Sequence, residues 1–146
     1  MRRVVICIVL LLLTTAACSA RLAVSPVMIK ANDVKAGDRF QIMLAQTGEE
    51  PTNIRLSLAL FSRQQDGSIL FLEDHASVGR AREVLRIPEE SFLLNPNEQK
   101  LIEVEVAEED FSDFSGVLFA RADQTGIPIR FAVLFMLSSQ MQAGEL

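Results

Sequence analysis

The 146-residue chain contains no tryptophan, no tyrosine, one histidine and two cysteines. Any Ser-His-Asp or Cys-His relay, and any histidine-containing metal site, would therefore have to use His75. Cys7 and Cys18 both lie near the N-terminus, so the remaining sequence has no pair of thiols with which to form a disulfide. The nine phenylalanines supply all of the aromatic packing.

Basic residues are outnumbered by acidic ones, 14 to 19, which gives a formal net charge of -5. An acidic chain of this kind lacks the basic face that binding to nucleic acid requires. It is also not expected to adhere electrostatically to anionic lipid. Nucleic acid is therefore not an expected partner, and any membrane attachment would need a hydrophobic anchor.

The longest apolar run lies at the N-terminus, where Arg2 and Arg3 precede Val4 to Leu13. A basic start, an apolar middle and a zone of small residues are typical of a bacterial secretory signal. The run is shorter than the roughly 20 residues that a membrane-spanning helix needs. We predict a signal peptide over residues 1–17, cleaved before Cys18, and a short tether over residues 18–22.

The residues before Cys18, Thr15-Ala16-Ala17, resemble the lipobox of bacterial lipoproteins. The resemblance implies that Cys18 is lipidated and anchors the protein to a membrane of the cell envelope. Thr15 stands where that family usually has leucine. The alternative is ordinary cleavage after Ala20, which would release a soluble periplasmic protein.

From residue 22 to residue 138, apolar residues mostly recur at every second position and turn residues separate the runs. In the clearest example, Ile102 to Val106, three apolar side chains are predicted to face inward while Glu103 and Glu105 face outward. Residues 74–82 are interpreted as a loop, and no helix is predicted. The predicted strands include Val24–Ile29, Ile54–Leu60, Ile69–Leu72, Glu83–Ile87, Ser91–Leu94, Ile102–Val106, Val117–Ala120 and Ile127–Leu137.

These runs predict an all-β protein with a single domain over residues 22–138, followed by a flexible tail over residues 139–146. Seven or eight strands without helices favour an antiparallel, immunoglobulin-like β-sandwich. A barrel of similar length is the alternative architecture.

The stretch Leu94-Asn95-Pro96-Asn97-Glu98-Gln99-Lys100-Leu101-Ile102-Glu103-Val104 resembles the Leu-x-Pro-Gly-Glu-x-Gln-x-Val-x-Val sequence of PapD-like domains. That family includes the first domain of periplasmic pilus-assembly chaperones. Ala23 to Pro26 and Gly116 to Arg121 also fit its order of strands, whereas Asn97 replaces the usual glycine. Met28 stands where the arginine of the chaperones' first strand is expected.

The resemblance implies a PapD-like β-sandwich. Pilus chaperones carry a second sandwich domain, and this sequence ends about eight residues after its last predicted strand. We therefore expect a stand-alone domain and not a complete pilus chaperone.

The last predicted strand is apolar on both faces, which is unusual for a strand of a sandwich. In the chaperones that the chain resembles, this strand pairs with pilus subunits. We therefore predict a partner-binding face made of Ile129, Phe131, Val133, Phe135 and Leu137. The alternative is that the second face is covered within the domain.

No catalytic, cofactor-binding or metal-binding residues are predicted. His75 lies in a polar stretch without a nucleophile motif and is interpreted as solvated. The acidic run Glu108 to Asp110, with Asp113, lacks the alternating pattern of a calcium loop. The sequence thus predicts an exported, lipid-anchored, non-catalytic assembly module that binds another envelope or pilus-related protein. A passive structural subunit is the alternative, and a small-ligand or hydrolytic lipoprotein is less favoured.

Overall fold

A computed structural model describes residues 22–108, 111–123 and 129–139. Within these residues the chain forms ten strands and one helix. The predicted signal peptide, Cys18 and residues 140–146 of the predicted tail lie outside the described residues, whereas Ser139, predicted as the first residue of the tail, is the last residue of β10. In chain order the elements are β1 Leu22–Ser25, β2 Met28–Val34, β3 Arg39–Gln46, β4 Thr52–Arg63, β5 Ile69–Leu72, α1 His75–Val84, β6 Leu85–Arg86, β7 Ser91–Leu94, β8 Gln99–Val106, β9 Asp113–Asp123 and β10 Ile129–Ser139.

The strands form two sheets. A four-stranded sheet has the order β1-β3-β8-β6, and a larger sheet has the order β2-β10-β9-β4-β5, with β7 also paired to β4. All pairs are antiparallel except β2 and β10, which run parallel. The predicted all-β sandwich is confirmed.

The core lies between the two sheets and follows the period-two pattern of the sequence. Ile102, Val104 and Val106 on β8 are buried, as predicted, and Glu103 between them is exposed. Phe40 on β3 meets Phe135 on β10 edge to face, with ring centroids 6.1 Å apart. Edge-to-face contact is a preferred geometry for aromatic pairs, and here it joins the two sheets.

The chain changes sheets at Pro26. The segment Val24–Ile29, predicted as one strand, is divided by a cis Ser25–Pro26 bond into β1, which pairs with β3, and β2, which pairs with β10. Proline has no N–H to donate to a ladder, so a strand is readily interrupted there. The N-terminal segment therefore contributes an outer strand to each sheet.

The segment predicted to be a loop is the helix α1, which corrects the prediction that the chain has no helix. Asp74 caps its N-terminus: one carboxylate oxygen accepts from the Ser77 N–H at 3.1 Å and the other from the Ser77 hydroxyl at 2.7 Å. Ala81 and Val84 are buried in the core. The helix was missed because its apolar residues are few and small, although an Asp at the cap position was a readable start signal.

The turn between β7 and β8 explains the replacement of glycine in the PapD-like motif. Asn97 has φ of 60°, and the Glu98 N–H donates to the Asn95 carbonyl at 3.1 Å. Proline at the second position of a turn and positive φ at the third are typical of a type II turn. Asparagine tolerates this left-handed conformation better than other non-glycine residues, so the turn is retained.

A buried glutamine holds the connection from β3 to β4. The Gln46 side-chain amide donates to the Thr52 hydroxyl at 2.6 Å and to the Glu50 carbonyl at 3.0 Å. Its side-chain oxygen accepts from the Gly48 N–H at 3.1 Å. Because each polar atom of the Gln46 side chain is satisfied, its burial does not carry the usual cost of a lost hydrogen bond.

Gly116 of β9 should not tolerate a side chain. The Phe114 ring folds over it, so that an added Cβ would lie 2.6 Å from Phe114 Cζ. Phe114 is itself buried in the core. We expect Gly116→Ala to lower the free energy of unfolding by about 1–3 kcal/mol, as overpacked core substitutions do, measured by urea denaturation.

The matched control is Gly79→Ala in α1, where the added Cβ meets nothing within 4 Å. Alanine should stabilise this helix position by about 0.5–1 kcal/mol. Equal effects of the two substitutions would contradict the role assigned to the Phe114 ring.

The helix cap should make stability depend on acid pH. The Ser77 hydroxyl and backbone N–H, which donate to the Asp74 carboxylate, lower its pKa from the ordinary value of 3.8. Such a group adds stability above its unfolded pKa, and that contribution is lost as pH falls through the folded pKa. Asp74→Asn keeps a capping acceptor but cannot titrate.

We therefore expect the stability difference between the native protein and Asp74→Asn to shrink on acidification from about pH 5 to pH 2, the range around the ordinary Asp pKa. Thermal unfolding of both proteins across this range measures it. A difference that stays constant with pH would contradict the linkage to Asp74.

Candidate partner-binding edge

Strand β10 is covered on one edge along its whole length but on the other edge along only part of it. Its antiparallel pairing with β9 runs from Ile129 to Ser138. Its parallel pairing with β2 begins at Leu134. Residues 129–133 of β10 therefore have no strand neighbour on the β2 side within the described residues, and we call this segment the open edge.

The backbone groups of the open edge face outward at alternate residues. The Leu134 N–H points away from β9 and donates to the Val27 carbonyl at 2.9 Å. Since backbone groups of every second residue in a strand point to the same side, those of Arg130 and Ala132 also point away from β9. An added strand would find the donors and acceptors of these two residues next to the end of β2.

The predicted partner-binding side chains all lie on the inner side of β10. Val133, Phe135 and Leu137 are buried in the core, with 0–2% of their surface exposed. They cannot contact a partner while the sandwich is intact. Ile129 and Phe131 are half-buried, and Phe131 packs on the core. A charged residue at Phe135 would be expected to unfold the protein, so it could not serve as a probe of partner binding.

The opposite side of β10 belongs to the outer face of the larger sheet, the face turned away from the four-stranded sheet. Ala132, Leu134 and Met136 are half-buried there and pack on a second cluster of Ala59, Phe61, Val117 and Phe119. This second face is thus covered in part within the domain. Beside the open edge, Met28 is 43% exposed and Val27 62% exposed.

Arg130 holds the open edge against the rest of the sheet. Its guanidinium lies 4.0 Å over the Phe119 ring, and Nη1 is 2.7 Å from the Glu73 carboxylate. Cation–π stacking at an exposed site contributes about 0.5–1 kcal/mol. The exposed ion pair adds little stability but fixes the direction of the side chain, which lies across β9 and away from the free backbone.

The position of Met28 clarifies one departure from the chaperone pattern. Met28 is the neighbour of Leu134 across the parallel ladder, so it extends the apolar outer face beside the open edge. The position that carries an arginine in the chaperones' first strand thus presents an apolar side chain here.

A cavity of about 230 Å³ lies between α1 and β4. Its walls include Phe119 and Val78, and Glu73, Arg82 and Glu90 are at its rim. Arg82 pairs with Glu90, and Glu73 with Arg130. Each of these charged residues is therefore paired, and no nucleophile paired with a base is among the residues that line the cavity.

The other residues weighed from the sequence form no site of their own among the described residues. His75 is exposed, as predicted, but it is the first residue of α1 and not part of a loop. Glu109 and Asp110 lie outside the described residues. Within residues 22–108, 111–123 and 129–139, no group of three His, Cys, Asp or Glu side chains is placed to hold a metal ion. None of the described helical residues forms a helix long and apolar enough to cross a membrane.

No protein-family model and no curated protein matches the sequence. Solved structures match its fold. The class 5 fimbriae chaperone CfaA superposes with a TM-score of 0.62 and 11% identity, over 82% of this chain and 57% of that one. A chain of the CsuC-CsuE chaperone–tip adhesion subunit pre-assembly complex from Acinetobacter baumannii gives 0.61 and 8%, over 82% and 57%.

A PapD-like domain of human CEP192 gives a TM-score of 0.55 and 9% identity, over 81% of this chain and 84% of that one. These matches confirm the predicted PapD-like sandwich. The chain spans a little over half the length of the chaperone chains that it matches, 57% of the first.

Proposed function

We propose that this protein is an exported, non-catalytic assembly factor of the bacterial envelope that binds a partner protein by strand addition at the open edge of β10. The observation that carries the proposal is that β2 pairs with β10 only from Leu134 onward. Unpaired edge backbone is a template for another strand. The fold supports the same role, because its structural neighbours include pilus chaperones.

The chemistry of the partner segment follows from the side chains around the open edge. A strand that bonds to Arg130 and Ala132 would place its outward side chains beside Ala132, Met28 and Leu134. These residues form an apolar surface. The partner segment is therefore extended and apolar on its outer side. Of the residues predicted from the sequence, Ile129 and Phe131 would lie next to it on the inner side of β10.

The proposal also includes the envelope location and the anchor. A periplasmic location is supported by one structural neighbour, the periplasmic chaperone SfaE. Lipidation of Cys18 rests on the lipobox resemblance, and β1 begins at Leu22, four residues later. A lipid on Cys18 would hold the sandwich close to the membrane surface.

Strand addition can be tested by site-specific photocrosslinking in the envelope of the native host. A photoreactive amino acid at Val27, beside the open edge, should form an adduct with a discrete partner protein. The matched control is the same amino acid at Leu101, which is 45% exposed on the other sheet. It should give no such adduct.

A second substitution links the adduct to the backbone of the open edge. Ala132→Pro removes one outward N–H, and the ladder to β9 is kept because that N–H does not face β9. We expect the adduct at position 27 to fall at least tenfold while circular dichroism stays native. An undiminished adduct in a folded Ala132→Pro protein would rule out strand addition here.

The anchor has its own measurement. Intact mass spectrometry of the mature protein should show an N-terminal Cys18 that carries a diacylglyceryl group. Cys18→Ser should move the protein from the membrane fraction to the soluble periplasmic fraction, because one acyl-bearing residue provides the whole attachment. A mature chain that begins at Arg21 would contradict the lipid anchor and would indicate ordinary cleavage after Ala20.

A further inference from the structure

The opposite margin of the larger sheet carries a second exposed edge, formed by β5. This strand is the last in the order β2-β10-β9-β4-β5 and pairs with β4 alone among the described residues. Its sequence, Ile69-Leu70-Phe71-Leu72, is apolar throughout. Ile69 is 39% exposed and Leu70 is 51% exposed. It has no proline, charged residue or bulge of the kind that protects exposed edges.

The free backbone groups of β5 can be assigned from the hairpin that connects it to β4. The Gln64 N–H donates to the Ser68 carbonyl at 2.8 Å, so residues 64 and 68 form a hydrogen-bonded pair. By alternation, Leu70 and Leu72 direct their backbone groups toward β4. Those of Ile69 and Phe71 therefore face outward and offer two donors and two acceptors.

The charged residues that flank β5 in the sequence are acidic, and one of them is already paired, because Glu73 accepts from Arg130 of β10 at 2.7 Å. Asp66 precedes the strand, and Glu73 and Asp74 follow it, whereas no Lys or Arg occurs between Arg63 and Arg80. Hydrogen bonds from Ser68 lower the pKa of Asp66, and those from Ser77 lower the pKa of Asp74. Arg63, at the start of the hairpin, directs its guanidinium toward the Met136 sulfur on β10. The apolar strand thus lies between carboxylates at both of its ends.

From these observations we propose that the β5 edge is a second strand-addition site that binds an extended partner segment with apolar residues in its middle and basic residues at both ends. The backbone groups of Ile69 and Phe71 supply the pairing, and Leu70 supplies apolar contact. Asp66 and Asp74 select for basic flanks by charge complementarity, whereas Glu73 is already paired with Arg130. This site lies on a different strand from the open edge of β10, at the other side of the sheet.

The test uses the full mature protein and a defined probe, an eight-residue peptide of alternating valine and threonine between paired lysines. Its matched control has paired glutamates in place of the lysines. We expect the lysine peptide to shift the amide NMR signals of Ile69 and Phe71 and to protect those amides from exchange. The glutamate peptide should bind at least tenfold more weakly. Shifts centred on Arg130 and Ala132 instead would overturn the assignment to β5.

Two variants separate strand addition from loss of structure. Ile69→Pro removes an outward N–H but no bond to β4, so the fold should persist while peptide affinity falls at least tenfold. Leu70→Lys places a charge on the apolar edge and should act likewise. Leu93→Lys is the control, because Leu93 is 51% exposed on β7, which pairs with a different part of β4, and the substitution should leave affinity unchanged.

Two outcomes would overturn the proposal. One is a folded Ile69→Pro protein that still binds the lysine peptide. The other is a dimer of the native protein, seen by sedimentation and lost in Ile69→Pro, with no peptide binding; the occupant of β5 would then be a second copy. Because the photocrosslinking at Val27 probes β10, either result leaves the proposed function to be judged on its own.

Discussion

The structure depends on how far β2 extends beside β10. The parallel ladder covers β10 from Leu134 onward, and the chain leaves this ladder where it turns at Pro26 into the other sheet. A longer β2 would close the edge of the larger sheet, and a shorter one would expose the strand that carries Phe135 into the core. The change of sheet at Pro26 therefore sets both the closure of the core and the length of backbone that stays available for pairing.

The two apolar faces of β10 have different surroundings, and this explains why a single strand can belong to the core and also border a binding edge. Its inner face is covered by the four-stranded sheet, as the contact between Phe40 and Phe135 shows. Its outer face rests on a smaller cluster that is bordered by Val78 of α1, Phe71 of β5 and the side chain of Arg130. Helix α1, which was not predicted from the sequence, thus helps to shield this second apolar face from solvent.

Local patterns predicted those parts of the fold that local physics determines. The alternation in β8 followed from residue types and spacing alone. The helix did not, because Val78, Ala81 and Val84 form a weak stripe with Gly79 among them. The predicted partner-binding residues lie on the inner side of β10, and two apolar faces of one strand look alike in sequence. Only the position of the other sheet distinguishes them.

The parallel arrangement of β2 and β10 also has a mechanical consequence. The two strands point the same way, so a pull at Met28 and an opposing pull at Ser139 would slide them past each other along their length. All ladder hydrogen bonds between them would then carry the load together, whereas an antiparallel hairpin pulled at its two ends opens one bond at a time. Resistance to force of this kind is governed by the unfolding rate rather than by equilibrium stability. A sandwich tethered near its first strands and held through its last strand would therefore withstand tension well even if its thermodynamic stability were ordinary.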